Sequence, residues 1–272
     1  EIIELRTIGA GRSFQTVLYY HVYDEKLYAI KKPIGNDSEI KKLLEREVCN
    51  YKKIKHPFIP KYYGTVNIDK NTCPVIEFIN GRTLSVIKYS QFSITERVLI
   101  ITQLLSVIKY LHENEFIYRD MKPNNVIIDQ NKTLVVIDFD RMIEEKNIND
   151  DNNESQTNDF GTNFHAPEIN DKNITNKCDI YSYGKMIYEI ILEIKNIEFF
   201  SDIQSIYLNC IDKNPTKRLS AEVLFCLIFI FIENKKIEIN LSPYYNTNNS
   251  SAQFYLGLIY EEGQYISRDI NK

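Results

Sequence analysis

The sequence predicts an α+β fold with a strand-rich amino-terminal third followed by a largely helical remainder, and three observations carry that reading. The first 80 residues hold short runs with the two-residue period of strands, around a single amphipathic helix. Beyond them, apolar residues recur every three or four positions in long stretches. Between two of those stretches lies one polar loop, YRDMKPNN, Tyr118 to Asn125, followed by a β-ribbon pattern. With 272 residues, 43% hydrophobic, and a net charge of −4, the chain has the size and balance of a globular domain, and no basic excess points to nucleic acid.

In order along the chain, IIELRTIGAGRSFQTVLYY gives two strands around Gly9 and Gly11, glycines whose backbone can approach phosphates closely. KLYAIKK follows as a strand with Leu27, Ala29 and Lys31 on one face. A helix from about Ser38 to Ile54 carries the apolar stripe Ile40, Leu43, Leu44, Val48, Tyr51, with Glu47 inside it and Glu45 outside. A carboxylate facing a core needs a cation, unless Glu47 sits at the edge of the stripe in water. SITERVLIITQLLSVIKYLHENE reads as a second helix ending just before the polar loop, and His112 near its end has no second histidine at metal spacing, so it reads as structural. VII at Val126 to Ile128 and TLVVI at Thr133 to Ile137 are β-branched runs around the turn-forming DQNK, and pairing across that turn brings Asn125 beside Asp138. Two oxygen side chains there fit a magnesium corner, with Asp120 as a proton acceptor and Lys122 as a fixed charge; a surface turn rich in Asn and Asp is the plainer alternative.

YRDMKPNN followed by VIDFD resembles the catalytic loop and metal-binding strand end of eukaryotic protein kinases. The resemblance implies the two-lobed kinase fold, a small lobe to about residue 78 and a helical lobe from about 84 to 241, working on ATP with Mg2+. It implies Asp120 and Lys122 as catalytic, Asn125 and Asp138 as metal ligands, and Lys31 paired with Glu47 over the phosphates. Ile8, Gly9, Gly11, Val17, Ala29, Glu77, Ile79 and Ile127 would line the nucleotide, with Ile76 behind it, the Glu77 carbonyl and Ile79 amide meeting the base, and Gly81 letting the chain turn into the large lobe. The glycine loop departs from the family where Gln15 stands in place of a third glycine, and Asp140 replaces a glycine after Asp138 and Phe139.

GTNFHAPEI, Gly161 to Ile169, is similar to the family's substrate-docking loop, one residue short, and with Lys122-Pro123 it matches the serine/threonine-specific pattern. Thr162 belongs to that loop. Glu168 would pair with Arg218 of NPTKRLS, and Asp179 of CDIYSYGKMIYEIILEI would hold the catalytic loop from beneath. The segment DRMIEEKNINDDNNESQTND has no period and reads as an irregular activation segment. Arg119 would receive a phosphate there, with Thr157 and Ser155 as acceptors; its seven acidic residues from Asp140 to Asp159 standing in for a phosphate, or a passive insertion, are the alternatives. Thr83 and Asn124 stand where kinases preferring basic peptides often carry acids.

Five scattered cysteines without a C-x-x-C pair fit reduced thiols in an intracellular, cytoplasmic setting. VLFCLIFIFI, Val223 to Ile232, is too short to span a bilayer and reads as a buried helix. The chain starts at Glu1 without a signal segment, as expected of an excerpt. Residues 1–241 would form the kinase domain and 242–251 a linker. Ala252 to Lys272 would form the start of a Sel-one-like helical repeat, a plain amphipathic helix being the alternative, through which further protein partners bind. A serine/threonine protein kinase acting on protein hydroxyls is the function expected. A pseudokinase that binds nucleotide or serves as a scaffold is the competing class, and a small-molecule kinase of related fold the third.

Overall fold

The computed structural model describes residues 2–35, 37–147, 162–171, 174–191 and 197–237. Its first part is a five-stranded antiparallel sheet built from β1 (Ile2–Ala10), β2 (Phe14–His21), β3 (Lys26–Pro33), β4 (Tyr62–Ile68) and β5 (Asn71–Glu77), in the order β1-β2-β3-β5-β4. One helix, α1 (Ser38–Lys53), lies against β5 and β3. It begins where the sequence places it: the Asp37 side chain accepts from the Glu39 amide at 2.9 Å, and Lys52 and Lys53 close the last turn beside its negative dipole end. Val17, Tyr19, Ile30, Leu44 and Cys73 form the small core between sheet and helix.

A three-residue strand, β6 (Gly81–Thr83), leads into the helical part. Gly81 does more than relax a turn. A Cβ there would stand 2.4 Å from the Ile128 carbonyl oxygen, so the close pairing of β6 with β8 (Val126–Asp129) requires a residue without a side chain. The hairpin of β8 and β9 (Leu134–Val136) forms as expected, with Val126 opposite Val136.

The larger core surrounds α2 (Ile94–Glu113), which starts in a reciprocal capping box between Ser93 and Glu96. Its Val98, Ile101, Leu104, Leu105, Ile108 and Leu111 are fully buried. Around it pack α3 (Lys177–Ile191), α4 (Ile197–Cys210) and α5 (Ala221–Asn234). The apolar run of α5 is buried as expected, and Ser220 caps it by accepting from the Val223 amide. Among the described residues no helix is long and apolar enough to cross a membrane. All five cysteines are free thiols, four of them buried.

The expectation of an irregular segment after Asp138 needs correction at its start. Ile143 and Glu144 form a strand, β10, that pairs with β7 (Phe116–Ile117), and residues 145–147 make one 3-10 turn. The physical reason is burial: Met142 and Ile143 are 0% and 6% exposed, and their backbone groups then need partners. The candidate phosphate acceptors Ser155 and Thr157, the linker and the helical repeat lie outside the described residues.

Gly81→Ala is expected to lower stability by about 1–3 kcal/mol, because the obstruction is backbone and cannot rotate away. The midpoint of urea unfolding measures this; a shift equivalent to under about 0.5 kcal/mol would show that the pairing of β6 and β8 yields without cost.

Candidate active site

A cleft of about 620 Å³ runs between the sheet and the helical part. Ile8, Gly9, Gly11, Ala29, Ile76, Glu77, Ile79 and Ile127 line it, and Lys31, Glu47, Asp120, Lys122, Asn125, Asp138 and Asp140 form its polar end. Thr83 and Asn124 also face it.

Val17 does not. Register sets the face of each β2 residue, and Thr16 stands opposite Lys31 while Val17 stands opposite Ile30. Thr16 therefore lines the cleft, and Val17, 0% exposed, belongs to the core under α1. The glycine loop is closed on itself. The Gly11 amide donates to the Phe14 carbonyl at 2.8 Å, and the Phe14 ring lies 4.3 Å from the Lys31 ammonium.

Lys31 is the hub of the polar end. Its Nζ is 2.9 Å from Glu47, 2.6 Å from Asp138 and 3.2 Å from Asp140. Burial alone would drive this ammonium toward neutrality, but the three carboxylates outweigh it and hold its pKa well above the ordinary lysine value. For Glu47 the balance is opposite. Burial, reinforced by Asp138 and Asp140, pushes its carboxyl up to about 7 against the pull of Lys31. Asp140 is raised for the same reasons. Helix α1 adds a second tie that the sequence reading did not single out: Asn50 donates to the Phe139 and Met142 carbonyls at 2.7 and 2.9 Å. Phe139 itself meets Tyr51 and Tyr118 edge-on at 5.3 Å each, and Tyr51 stacks on Tyr62.

The catalytic-loop residues are held from below. Asp179, 1% exposed at the start of α3, accepts from the amides of Tyr118 and Arg119 at 2.9 and 2.8 Å, and His112 reaches it at 3.0 Å. That grip accounts for Arg119 keeping a left-handed φ of 69° without glycine. The Arg119 guanidinium donates to the Arg141 carbonyl at 2.7 Å. Arg218, fully buried, makes a two-pronged ion pair with Glu168, tying the docking loop to the helical part as expected.

Asp120 is 5% exposed. Lys122 donates to both its oxygens at 2.8 and 2.7 Å, Asn125 to one at 2.9 Å, and His165 lies 3.1 Å from the other. Burial raises its pKa, yet these donors and the Lys122 charge outweigh burial and leave it below the usual carboxylate value. Asn125 spends its amide protons on the Asp120 carbonyl and carboxylate, both at 2.9 Å, so the oxygen is the atom it offers to a cation. Asp138 follows β9 at the same open end of the hairpin as Asn125, where the Ile137 amide donates to the Asn125 carbonyl at 2.9 Å. An oxygen pair of one carboxylate and one carboxamide beside an open cleft suits magnesium, which keeps water and phosphate in its remaining positions. Among the described residues no three His, Cys, Asp or Glu side chains form a metal-holding group of their own.

A sheet-rich lobe, a helical lobe and an acid-lined cleft between them define the two-lobed kinase architecture. The sequence profile of the protein kinase domain matches residues 2–201, and the chain belongs to that family. It is 26% identical over 197 residues to the carbon catabolite-derepressing protein kinase of Candida glabrata, covering 69% of this chain and 31% of that one. It is 28% identical over 275 residues to the dual specificity protein kinase zak2 of Dictyostelium discoideum, covering 92% and 42%. The SNF1-like protein kinase ssp2 of Schizosaccharomyces pombe is 27% identical over 192 residues, covering 68% and 33%. The chain thus spans less than half the length of these relatives.

The raised Glu47 carboxyl gives a pH signature with a definite sign. Because folding favours its protonated form, the stability it contributes is complete below about pH 4.5 and lost as pH rises through about 7. Glu47→Gln, neutral throughout, is expected to flatten the fall in melting temperature across that window; a variant with the wild-type slope would contradict the assignment.

Proposed function

We propose that this chain transfers the γ-phosphoryl group of ATP, with magnesium, to serine or threonine hydroxyls of proteins. The observation that carries the reading is the convergence on one cleft of the Lys31–Glu47 ion pair with Asp120, Lys122, Asn125 and Asp138. The apolar walls of Ile8, Ala29, Ile76 and Ile127 suit a flat base, and the backbone of Glu77 and Ile79 at the cleft edge supplies groups to pair with it. Magnesium, when bound, would neutralise phosphate charge. Asn125 would offer its carboxamide oxygen and Asp138 its carboxylate, which is 33% exposed. Lys31 would set its ammonium against the phosphates.

Asp120 accepts the proton of the attacking hydroxyl. Its lowered pKa keeps it ionised, so its main contribution is to orient that hydroxyl. Lys122 would turn from Asp120 toward the negative charge that builds in transfer, vacating acceptor positions on the carboxylate for the substrate. Lys122-Pro123 and the loop opening at Thr162 favour serine and threonine over tyrosine. The named kinases among the relatives support the same reaction class.

We extend the proposal to the domain limits, with residues 1–241 as the kinase domain, and to Thr157 and Ser155 as phosphate acceptors that Arg119 would engage. Residues 252–272 as the start of a Sel-one-like repeat, and a role in signalling, belong to it too. A second reading, a nucleotide-binding or scaffolding pseudokinase, draws on the closed glycine loop and on Asp140, which adds a third carboxylate to Lys31.

Radiolabel transfer from ATP to a generic protein substrate separates the two. Asp120→Asn is expected to lower turnover by about 100-fold or more while nucleotide still raises the melting temperature. Nucleotide binding with no Asp120-dependent transfer would instead establish the scaffold.

A further inference from the structure

His165 lies on the docking loop, four residues before Ile169, and its side chain is only 4% exposed. Its Nε2 is 3.1 Å from the Asp120 carboxylate. The other ring nitrogen, Nδ1, meets the Thr162 amide and the Thr162 hydroxyl, both at a long 3.4 Å. A backbone amide can only donate, so Nδ1 is an acceptor and carries no proton. The proton of the neutral ring is then on Nε2, pointing at Asp120.

The tautomer fixes what this histidine can do. With a proton already on Nε2, it cannot take one from Asp120 through that atom, so it is not a relay. It is a donor to Oδ1 of Asp120, while Asn125 donates to Oδ2 and Lys122 spans both oxygens. A carboxylate has about four acceptor positions, and Lys122, Asn125 and His165 fill them. When Lys122 turns to the phosphoryl group, Asn125 and His165 remain, one on each oxygen, and the plane of the carboxylate stays set.

We infer that His165 is a positioning residue for phosphoryl transfer: it clamps Asp120 from the docking loop, opposite Asn125, so that the free acceptor position faces the substrate hydroxyl. The inference rests on the phosphotransfer reading above. It also ties orientation of the proton acceptor to the loop that receives the peptide, since the Nδ1 anchor is that loop's own backbone.

The test uses three substitutions assayed for kcat, for KM of ATP and of a protein substrate, and for melting temperature with and without MgATP. Loss of one hydrogen bond to a charged group corresponds to about a 10- to 100-fold loss of rate. His165→Phe is expected to lose that much in kcat with both KM values near wild type. His165→Gln, whose terminal amide reaches the place of Nε2, is expected to recover to within about 3-fold. His165→Asn, whose amide reaches only the place of Nδ1, is expected to fall with Phe, and it serves if the Phe variant does not fold. Full kcat in both Phe and Asn variants, or a loss in which KM and melting temperature move together and Gln does not rescue, would overturn the inference alone. A wild type without Asp120-dependent transfer would overturn the phosphotransfer reading and this inference with it.

Discussion

A single buried ammonium joins the two lobes at the cleft. Lys31 comes from the sheet, Glu47 from α1, and Asp138 and Asp140 from the segment after the hairpin of the helical part. None of these groups could be buried alone, since an isolated charge away from water is strongly unfavourable. Each therefore constrains the others, and the position of α1 becomes a condition on the position of Asp138. One cation facing three acids is over-matched, and the upward shifts of Glu47 and Asp140 are its electrostatic expression.

Much of this was readable from residue order. β-branched runs around DQNK made the hairpin, and a hairpin must bring its two mouths together, which placed Asn125 and Asp138 at one end of the cleft. The helical period made Glu47 a buried carboxylate in search of a cation, and β3 supplied Lys31. Glu168 and Arg218, fifty residues apart, were joined only through the resemblance to kinases; no local pattern links them.

What was missed follows from tertiary register. The unbroken pairing of β2 with β3, which puts Thr16 opposite Lys31, decides which β2 side chains face the cleft, and residue order along one strand does not fix that parity; hence Val17 was placed in the cleft through the resemblance and Thr16 was not. Asn50 lies three positions after Glu47, on the same helix face, and that spacing was the available signal. His165 sits in a loop without period, and its only trace was that the segment from Gly161 to Glu168 is one residue short of the family pattern. The start of the acidic segment, read as irregular, is ordered because Met142 and Ile143 are buried and β7 offers Ile143 a partner.

The two Asn50 bonds and the ring column of Tyr62, Tyr51, Phe139 and Tyr118 are spread along a single seam between α1 and the segment below it. Rigid groups spread along one seam cannot separate one at a time: any outward swing of α1 orphans two carbonyls and bares the Tyr51–Phe139 ring contact at the same instant that Glu47 leaves Lys31. The position of α1 and the integrity of the cleft's polar end are thus one condition, since the same displacement breaks the hydrogen bonds, the ring contact and the ion pair together.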